Sequence, residues 1–224
     1  MDQALVSPPA ITILGSQPQQ QAPKSFARSF VDDYISLDEG REPHKSIEDY
    51  SITGAFGMKK KQRDRYPNLT DYEAAIAFTN DNIKEIQSQI GVQQWQSLPM
   101  GAKRMVSNLY YNAGSLFNTV KKELRDGDVM GAARGTLDVV SAKNKDTGIV
   151  GFMSGLANRR ARNYNLAAKD LNQPVINSYT VKKISPKKTK VTYNLSNQEK
   201  LEYTVNKPIS KLSLEDGTYS VINY

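Results

Sequence analysis

Five carboxylates lie within a short stretch near the N-terminal end of the chain and offer the clearest chemistry. They are Asp38, Glu39, Glu42, Glu48 and Asp49. The first of them follow a predicted helix, and the negative end of a helix dipole raises the pKa of a carboxyl placed there. A carboxyl with a raised pKa stays protonated and can serve as a general acid. A solvated surface charge run is the alternative interpretation of the same residues.

The counts of cysteine and histidine exclude several kinds of catalytic and metal-binding site. The chain has no cysteine and a single histidine, His44, which we expect to be a surface or loop residue. A disulfide scaffold, a thiol nucleophile, a cysteine-ligated metal and a site with several histidine ligands are therefore excluded. Hydrolysis would have to rest on carboxylates, hydroxyls or lysines. The sequence implies no metal and no organic cofactor.

The carboxylates lie between a predicted helix and a long helical region. Apolar residues at helical spacing, Phe26, Phe30 and Tyr34 among them, predict a helix over residues 25–38. Glycines and a proline separate alternating apolar positions in residues 40–57. These are the only part of the first 175 residues that we expect to form a small hairpin or loop.

Capping signals divide the region after Pro67 into helices. Thr70 and Glu73 have the spacing of a capping box, and Gly91 is expected to end that helix. Ser115 and Asp128 are expected to cap two later helices. A glycine-rich interruption at 148–155 precedes a basic helix over 156–171.

The composition changes twice along the chain, which predicts three segments and an α+β fold. Residues 1–24, rich in proline and glutamine, are expected to form an extended N-terminal arm. Residues 25–173 form a helical domain that includes the small hairpin. Residues 174–224 carry alternating β-branched and aromatic runs and predict a small β-rich appendage, with a hairpin turn at Asp216-Gly217.

Six motifs over roughly residues 25–170 resemble the phage-type lysozymes, a family of muramidases like those of glycoside hydrolase family 24. They are Tyr-Ile-Ser-Leu-Asp-Glu-Gly at 34–40, Thr-Gly-Ala-Phe-Gly at 53–57, the helix at 70–90, Arg-Met-Val-Ser-Asn-Leu-Tyr-Tyr-Asn-Ala-Gly at 104–114, Leu-Arg-Asp-Gly-Asp at 124–128 and Gly-Leu-Ala-Asn-Arg-Arg at 155–160. The resemblance implies a lysozyme-like fold with a small β-hairpin lobe and a larger helical lobe. It also implies cleavage of peptidoglycan between N-acetylmuramic acid and N-acetylglucosamine.

The resemblance also implies roles for individual residues. Glu39 would be the catalytic acid, Asp49 or Glu48 the second carboxylate, and Thr53 a ligand of the attacking water. The segment from Glu39 to Thr53 is one residue shorter than in the family, so both candidates for the second carboxylate stay open. Asp49 is favoured because it keeps the residue type. Asn112 would line the saccharide groove, with a helix-ending cap as the alternative.

A rival resemblance falls on the same part of the chain. Glu42, Ser51, the run Gly54-Ala-Phe-Gly-Met58 and Tyr111-Asn-Ala-Gly114 resemble the pattern of lytic transglycosylases. Those enzymes cleave the same bond with a single acid, here Glu39 or Glu42, and use the C6 hydroxyl of the substrate instead of water.

The basic charge balance predicts an anionic partner. The chain of 224 residues carries a formal net charge of +7, which suits peptidoglycan, an anionic wall polymer or nucleic acid. The basic run at 59–65 is expected either to bind the wall or to be a solvated loop. Nucleic acid is the less favoured partner, because no aromatic residues are interleaved with the lysine cluster of the tail, Lys182, Lys183, Lys187, Lys188 and Lys190.

The two ends of the chain predict where it works. No signal peptide or membrane-spanning run is recognised, so we expect synthesis in the host cytoplasm. Residues 1–24 and 174–224 are expected to dock on other phage tail or virion proteins, which would carry the lysozyme to the cell wall. A free endolysin is the alternative.

Overall fold

The computed structural model of the protein describes residues 24–35, 44–45, 52–143, 150–208 and 217–221. Within these ranges the chain combines helices with antiparallel strands, which confirms the predicted α+β class. A small β ladder precedes a helical region, and a four-stranded sheet follows it. No helix among these residues is both long and apolar enough to cross a membrane.

Eight α-helices are found in the described part of the chain. They are α1 (Phe26–Phe30), α2 (Lys60–Arg63), α3 (Asp71–Ile90), α4 (Val92–Ser97), α5 (Met100–Ala113), α6 (Asn118–Arg125), α7 (Val129–Arg134) and α8 (Ser154–Asp170). A π-helical segment, Val31–Ile35, directly continues α1, and a short 3₁₀ turn spans Ala55–Gly57.

The strands form three antiparallel units. They are β1 (His44–Lys45) with β2 (Ile52–Thr53), β3 (Ser141–Lys143) with β4 (Val150–Phe152), and a sheet of β5 (Ile176–Ser185), β6 (Lys188–Leu195), β7 (Lys200–Val205) and β8 (Gly217–Ser220). The β3–β4 ladder contradicts the expectation that residues 40–57 hold the only hairpin before residue 175. Its strands are three residues long, too short for the alternation that identifies a strand in sequence.

The capping signals of the helical region are confirmed at two sites and wrong at a third. Thr70 accepts from the backbone N–H of Glu73 at 3.3 Å, and the Glu73 carboxylate accepts from that of Thr70 at 2.9 Å. Asp128 caps α7 through the N–H of Gly131. Ser115 caps nothing, because Leu116 is buried and Phe117 keeps an extended backbone, so α6 starts after Phe117.

A main core lies between the helices and the C-terminal sheet. Apolar side chains of α3 to α8 share one cluster with the inward face of that sheet, including Tyr179, Val191 and Tyr193. The Tyr193 hydroxyl donates to the carbonyl of Leu137 at 2.9 Å, so the contact is polar as well as apolar. The β-rich appendage therefore packs on the helices of its own chain.

The order of strands in this sheet is β7-β6-β5-β8. The last strand pairs with β5, with Tyr179 opposite Tyr219 and Thr180 opposite Thr218. The hairpin turn expected at Asp216-Gly217 does not pair β8 with β7, because these two strands lie on opposite edges of the sheet. Asp216 itself is outside the described residues.

Candidate active site

The sequence-predicted site residues fall into two groups. Glu39, Glu42, Glu48 and Asp49 lie outside the described residues. Thr53 ends β2, and its Cα lies opposite that of His44 in the β1–β2 ladder. His44 is therefore part of a short strand and not of a loop. Residues 46–51, which include two of the candidate carboxylates, connect the strands of this ladder.

The helix that precedes Glu39 is held by a second apolar cluster. Ser25 caps α1 by accepting from the N–H of Arg28. Phe30, Val31 and Ile35 are then fully buried along α1 and the π-helical segment. The predicted helix over 25–38 is confirmed as far as Ile35, although its last described turn is π-helical, and residues 36–38 are not described. Ile35 stands four positions before Glu39.

The same cluster holds the chain directly after Thr53. Ala55, Phe56 and Met58 are buried in it together with the residues of α1, and Phe78 of α3 and Tyr111 of α5 complete it. One apolar cluster thus fixes the chain at both ends of residues 36–51, the stretch that carries every candidate carboxylate. The other side chains of the cluster come from α3 and α5, which are far away in the sequence.

A tight turn explains why the strand ends at Thr53. The N–H of Gly54 donates to the carbonyl of Met58 at 2.6 Å, and a Cβ at position 54 would lie 2.8 Å from the same oxygen. Phe56 and Gly57 both have positive φ, 55° and 69°. The motif at 53–57 therefore continues as a turn instead of a strand, because such backbone angles cannot extend a β ladder.

Met58 directly follows the turn, at the position where the resemblance to the phage-type lysozymes would place a histidine. Its side chain is 1% exposed and belongs to the second apolar cluster. A histidine there would bring a polar ring into that cluster, whereas methionine fills it without needing a hydrogen-bond partner. The residue is thus a packing residue in this chain.

Two tyrosines connect the elements around the turn. The Tyr111 hydroxyl donates to the carbonyl of Phe56 at 2.8 Å, and both groups are buried. The Tyr72 hydroxyl donates to Asp32 in the π-helical segment at 2.6 Å, and the Tyr72 ring packs against Phe56. Helices α3 and α5 therefore anchor both the segment before Glu39 and the turn after Thr53. Sequence reasoning placed Tyr111 in a motif but missed Tyr72 and the hydrogen bonds of both tyrosines, because their partners are far away in the chain.

The electrostatics of Asp32 exclude it as a general acid. The hydrogen bond from Tyr72 and the bond from Lys24 hold the pKa of Asp32 below its usual range. A carboxyl with a lowered pKa is ionised at neutral pH and has no proton to give.

Asn112 lies at the end of α5 and is half-buried. Both its amide nitrogen and its amide oxygen already form a hydrogen bond within the protein. Its Nδ2 donates to the carbonyl of Asn108 at 3.0 Å, and its Oδ1 accepts from Arg159 of α8 at 2.7 Å. One amide hydrogen and one lone pair are left for a ligand. Contact with a saccharide stays a prediction, and the observed bonds show a brace between two helices.

A buried polar connection between α5 and α8 runs beside this brace. Asn163 donates to Asn108 at 2.9 Å, and both side chains are completely buried. Arg160 is buried next along α8 and donates to the carbonyl of Val139 at 3.2 Å. The arginine pair 159–160 thus braces the last helix. No group of three or more His, Asp or Glu side chains within the described ranges could hold a metal ion.

No protein-family model and no curated protein sequence matches the chain. Solved structures do resemble it. The active form of P1 phage endolysin Lyz is 17% identical, with 63% of this chain and 84% of that chain covered at a TM-score of 0.43. The muramidase domain of SpmX from Asticaccaulis excentricus is 19% identical, with 64% and 97% covered at a TM-score of 0.40. The endolysin from Escherichia coli O157:H7 phage FAHEc1 is 16% identical, with 66% and 95% covered at a TM-score of 0.42. These similar structures are phage endolysins and a muramidase domain, and the similarity is one of backbone arrangement over part of the chain.

Proposed function

We propose that the chain is a lysozyme-type glycoside hydrolase that cleaves peptidoglycan between N-acetylmuramic acid and N-acetylglucosamine. One observation carries the proposal: a single apolar cluster fixes the helix that leads to Glu39 and the turn that follows Thr53. Those are the two places where the motifs of the phage-type lysozymes put the catalytic acid and the water-binding threonine. A π-helical segment just before Glu39 agrees with this, because π-helical insertions are frequent at functional sites.

The proposed reaction assigns a role to each residue. Glu39 gives its proton to the glycosidic oxygen, the bond from C1 to that oxygen breaks, and the departing sugar leaves with a free hydroxyl. A water held by Thr53 bonds to C1 and passes a proton to Asp49 or Glu48. In an inverting enzyme the two carboxyls are about 6.5–9.5 Å apart, so that this water fits between them.

The transglycosylase reaction is the second candidate. The residues of its motif that are described come together: the turn from Gly54 to Met58 carries the carbonyl that Tyr111 binds. One acid, Glu39 or Glu42, suffices for this reaction, because the C6 hydroxyl of the muramic acid attacks C1. The products then end in a 1,6-anhydro ring.

Purified full-length protein and isolated peptidoglycan test both reactions. We expect loss of turbidity with the unchanged protein, and a decrease of at least about 100-fold in rate for Glu39→Gln, because the proton donor is gone. Glu42→Gln is the matched control and should keep its activity. Mass spectrometry should find reducing ends. Anhydro ends, or full activity of Glu39→Gln with none for Glu42→Gln, would instead support the transglycosylase.

We further propose that the enzyme is carried by a phage tail or a similar particle. Residues 1–24 and the outward parts of residues 174–224 would bind other particle proteins, since the inward face of the sheet is covered by the helices of the same chain. Mass spectrometry of purified particles tests this. Absence of the chain from the particles would favour a free endolysin.

A further inference from the structure

The π-helical segment Val31–Ile35 carries two neighbouring aspartates, and each of them is bound by a side chain of a different helix. Asp32 accepts a hydrogen bond from the Tyr72 hydroxyl of α3 at 2.6 Å. Asp33 accepts one from the Arg104 guanidinium of α5, with 3.4 Å between Nη2 and Oδ2. The segment is therefore tied to two helices whose binding residues are 40 and 71 positions away in the sequence.

The bonds that the aspartates form with nearby residues are more exposed to water. Lys24 pairs with Asp32 at 2.9 Å, but the Lys24 side chain is 54% exposed. Ser29 donates to Asp33 at 3.3 Å on the surface of the protein. Exposed contacts of this kind contribute little, because water competes for the same groups. The half-buried Tyr72 therefore supplies the shortest and best protected bond to the segment.

The burial of apolar residues agrees with the π-helical register. Phe30 and Ile35 are five positions apart, and both are fully buried in the second apolar cluster. Backbone bonds in a π-helix also join residues five apart, which brings such residues to one face. A return to α-helical bonds would turn the following residues by about one residue position, or about 100°, around the helix axis. The register of the segment thus decides the direction in which the chain continues after Ile35.

We propose that Tyr72 and Arg104 are positioning residues, which fix the direction of the chain that leads to Glu39 by holding the π-helical segment in its register. Both act through the segment and not on the substrate. The role rests on the proposed function, because it takes Glu39 as the acid, and Glu39 stands four positions after Ile35. Proton transfer needs a short and aligned path, so a small displacement of the donor slows the reaction more than it weakens substrate binding.

Kinetics of the full-length protein on isolated peptidoglycan test the role of Tyr72. Tyr72→Phe keeps the ring, which packs against Phe56, and removes only the hydroxyl. We expect the apparent kcat to fall by about tenfold or more, whereas the apparent KM should stay within about twofold. A rise in KM with unchanged kcat would contradict a positioning role.

Tyr66→Phe is the matched control. The Tyr66 hydroxyl donates to Asp81 at 2.7 Å, so it makes the same kind of bond as Tyr72, but its partner lies on α3 and not on the π-helical segment. Both tyrosines pack at the second apolar cluster. We expect similar losses of stability in urea denaturation, with kcat of the control within about twofold of the unchanged protein. An equal fall in kcat for both variants would overturn the proposal, because general destabilisation would then explain it.

Two variants at one position test the contact of Arg104. The Arg104 side chain is 29% exposed, and its Nε is buried without a hydrogen-bond partner. Arg104→Met keeps the apolar length of the side chain and removes the contact to Asp33, so it should lower kcat about threefold with little change in stability. Arg104→Lys keeps a charge that can reach Asp33 and should restore at least about half of the kcat. Equally low kcat for both variants would overturn the role of Arg104.

Hydrogen exchange of the backbone amides gives a measurement that needs no activity. The amides of residues 31–35 should exchange at least about tenfold faster in Tyr72→Phe than in the unchanged protein, because the segment then opens more readily. Tyr66→Phe should leave them unchanged. Equal exchange in all three proteins would overturn the proposal. If the unchanged protein does not cleave peptidoglycan, the proposed function fails, and hydrogen exchange still decides whether Tyr72 holds the segment.

Discussion

Tyr111 shows how a single side chain can define the geometry around a predicted catalytic segment. Its ring lies in the second apolar cluster against Phe78, and its hydroxyl donates to the carbonyl of Phe56. That carbonyl belongs to a residue with positive φ, in the turn directly after Thr53. The hydroxyl therefore stabilises a backbone conformation that Phe56 would seldom adopt by itself.

We expect Tyr111→Phe to lower the free energy of unfolding by about 1–2 kcal/mol, because a buried carbonyl loses its donor. Urea denaturation measures the change. The neighbouring Tyr110→Phe is the control and should cost less than about 0.5 kcal/mol, since its hydroxyl lies 3.5 Å from the Gln89 amide, at the limit of a hydrogen bond. Equal costs for the two variants would contradict this assignment.

The bond between Tyr72 and Asp32 gives a contribution to stability that depends on pH. The pKa of Asp32 is lowered in the folded protein, so its stabilisation is complete above the unfolded value near 4 and disappears as pH falls through the folded value. We expect Tyr72→Phe to cost about 1 kcal/mol at pH 7 and less at pH 3.

Urea denaturation at both pH values tests this expectation. Tyr66→Phe is no suitable control, since that hydroxyl also binds a carboxylate, Asp81. Tyr110→Phe serves instead, because its partner is an uncharged amide and its effect should be the same at both pH values. A cost of Tyr72→Phe that did not change with pH would show that the ring, and not the hydrogen bond, is responsible.

At the scale of elements, two of the three local capping signals in the sequence are confirmed, and the one at Ser115 is wrong. The capping box at Thr70 and the cap at Asp128 each involve residues within three positions, and both are confirmed. The β3–β4 ladder and the pairing of β8 with β5 depend on contacts between distant parts of the chain, and the sequence did not reveal them. The candidate site follows the same division: its motifs, Tyr111 among them, were visible in the sequence, whereas Tyr72 and the long-range hydrogen bonds of both tyrosines were not.

The crossing of α5 and α8 requires a glycine at position 101, and only the packing of the two helices shows why. A Cβ at Gly101 would lie 2.0 Å from the backbone carbonyl oxygen of Leu166, so the two helices approach as closely as glycine allows. The N–H of Gly101 also donates to Asp170 at the end of α8. In the sequence this glycine looks like an unfavourable residue in a helix.

We expect Gly101→Ala to lower the free energy of unfolding by at least about 2 kcal/mol, because α8 must move away from α5. Gly135→Ala is the matched control: its Cβ would find its nearest neighbour at 3.4 Å, and the change should be within about 0.5 kcal/mol of neutral. Thermal or urea denaturation compares the two. A neutral Gly101→Ala would refute the close approach.

At the scale of the whole molecule, the helices and the C-terminal sheet share one core. The single tryptophan, Trp95, is buried in that core on the helical side, and Tyr193 is buried in it on the sheet side. Burial raises the pKa of Tyr193 well above its usual value, so its hydroxyl stays protonated and keeps donating to Leu137. The sheet is therefore a part of the fold and not a separate attachment.

We expect the protein to unfold in one transition, seen equally by Trp95 fluorescence and by circular dichroism. Tyr193→Phe should shift both signals together and cost about 1–2 kcal/mol, since the carbonyl of Leu137 loses its donor. Thr204→Val, on an exposed position of β7, is the control and should shift neither. If the sheet unfolded by itself, Tyr193→Phe would leave the fluorescence midpoint unchanged.

The position of β8 determines when the fold can be completed during synthesis of the chain. A nascent chain emerges from the ribosome N-terminal end first, and its helices can form early because their contacts are local. The strand that completes the sheet, Gly217–Ser220, is translated about forty residues after its partner β5. The part of the shared core that Tyr219 and Val221 supply can therefore form only when translation has passed residue 221. Chains that end before Gly217 would leave one edge of β5 unpaired, and an unpaired strand edge favours aggregation.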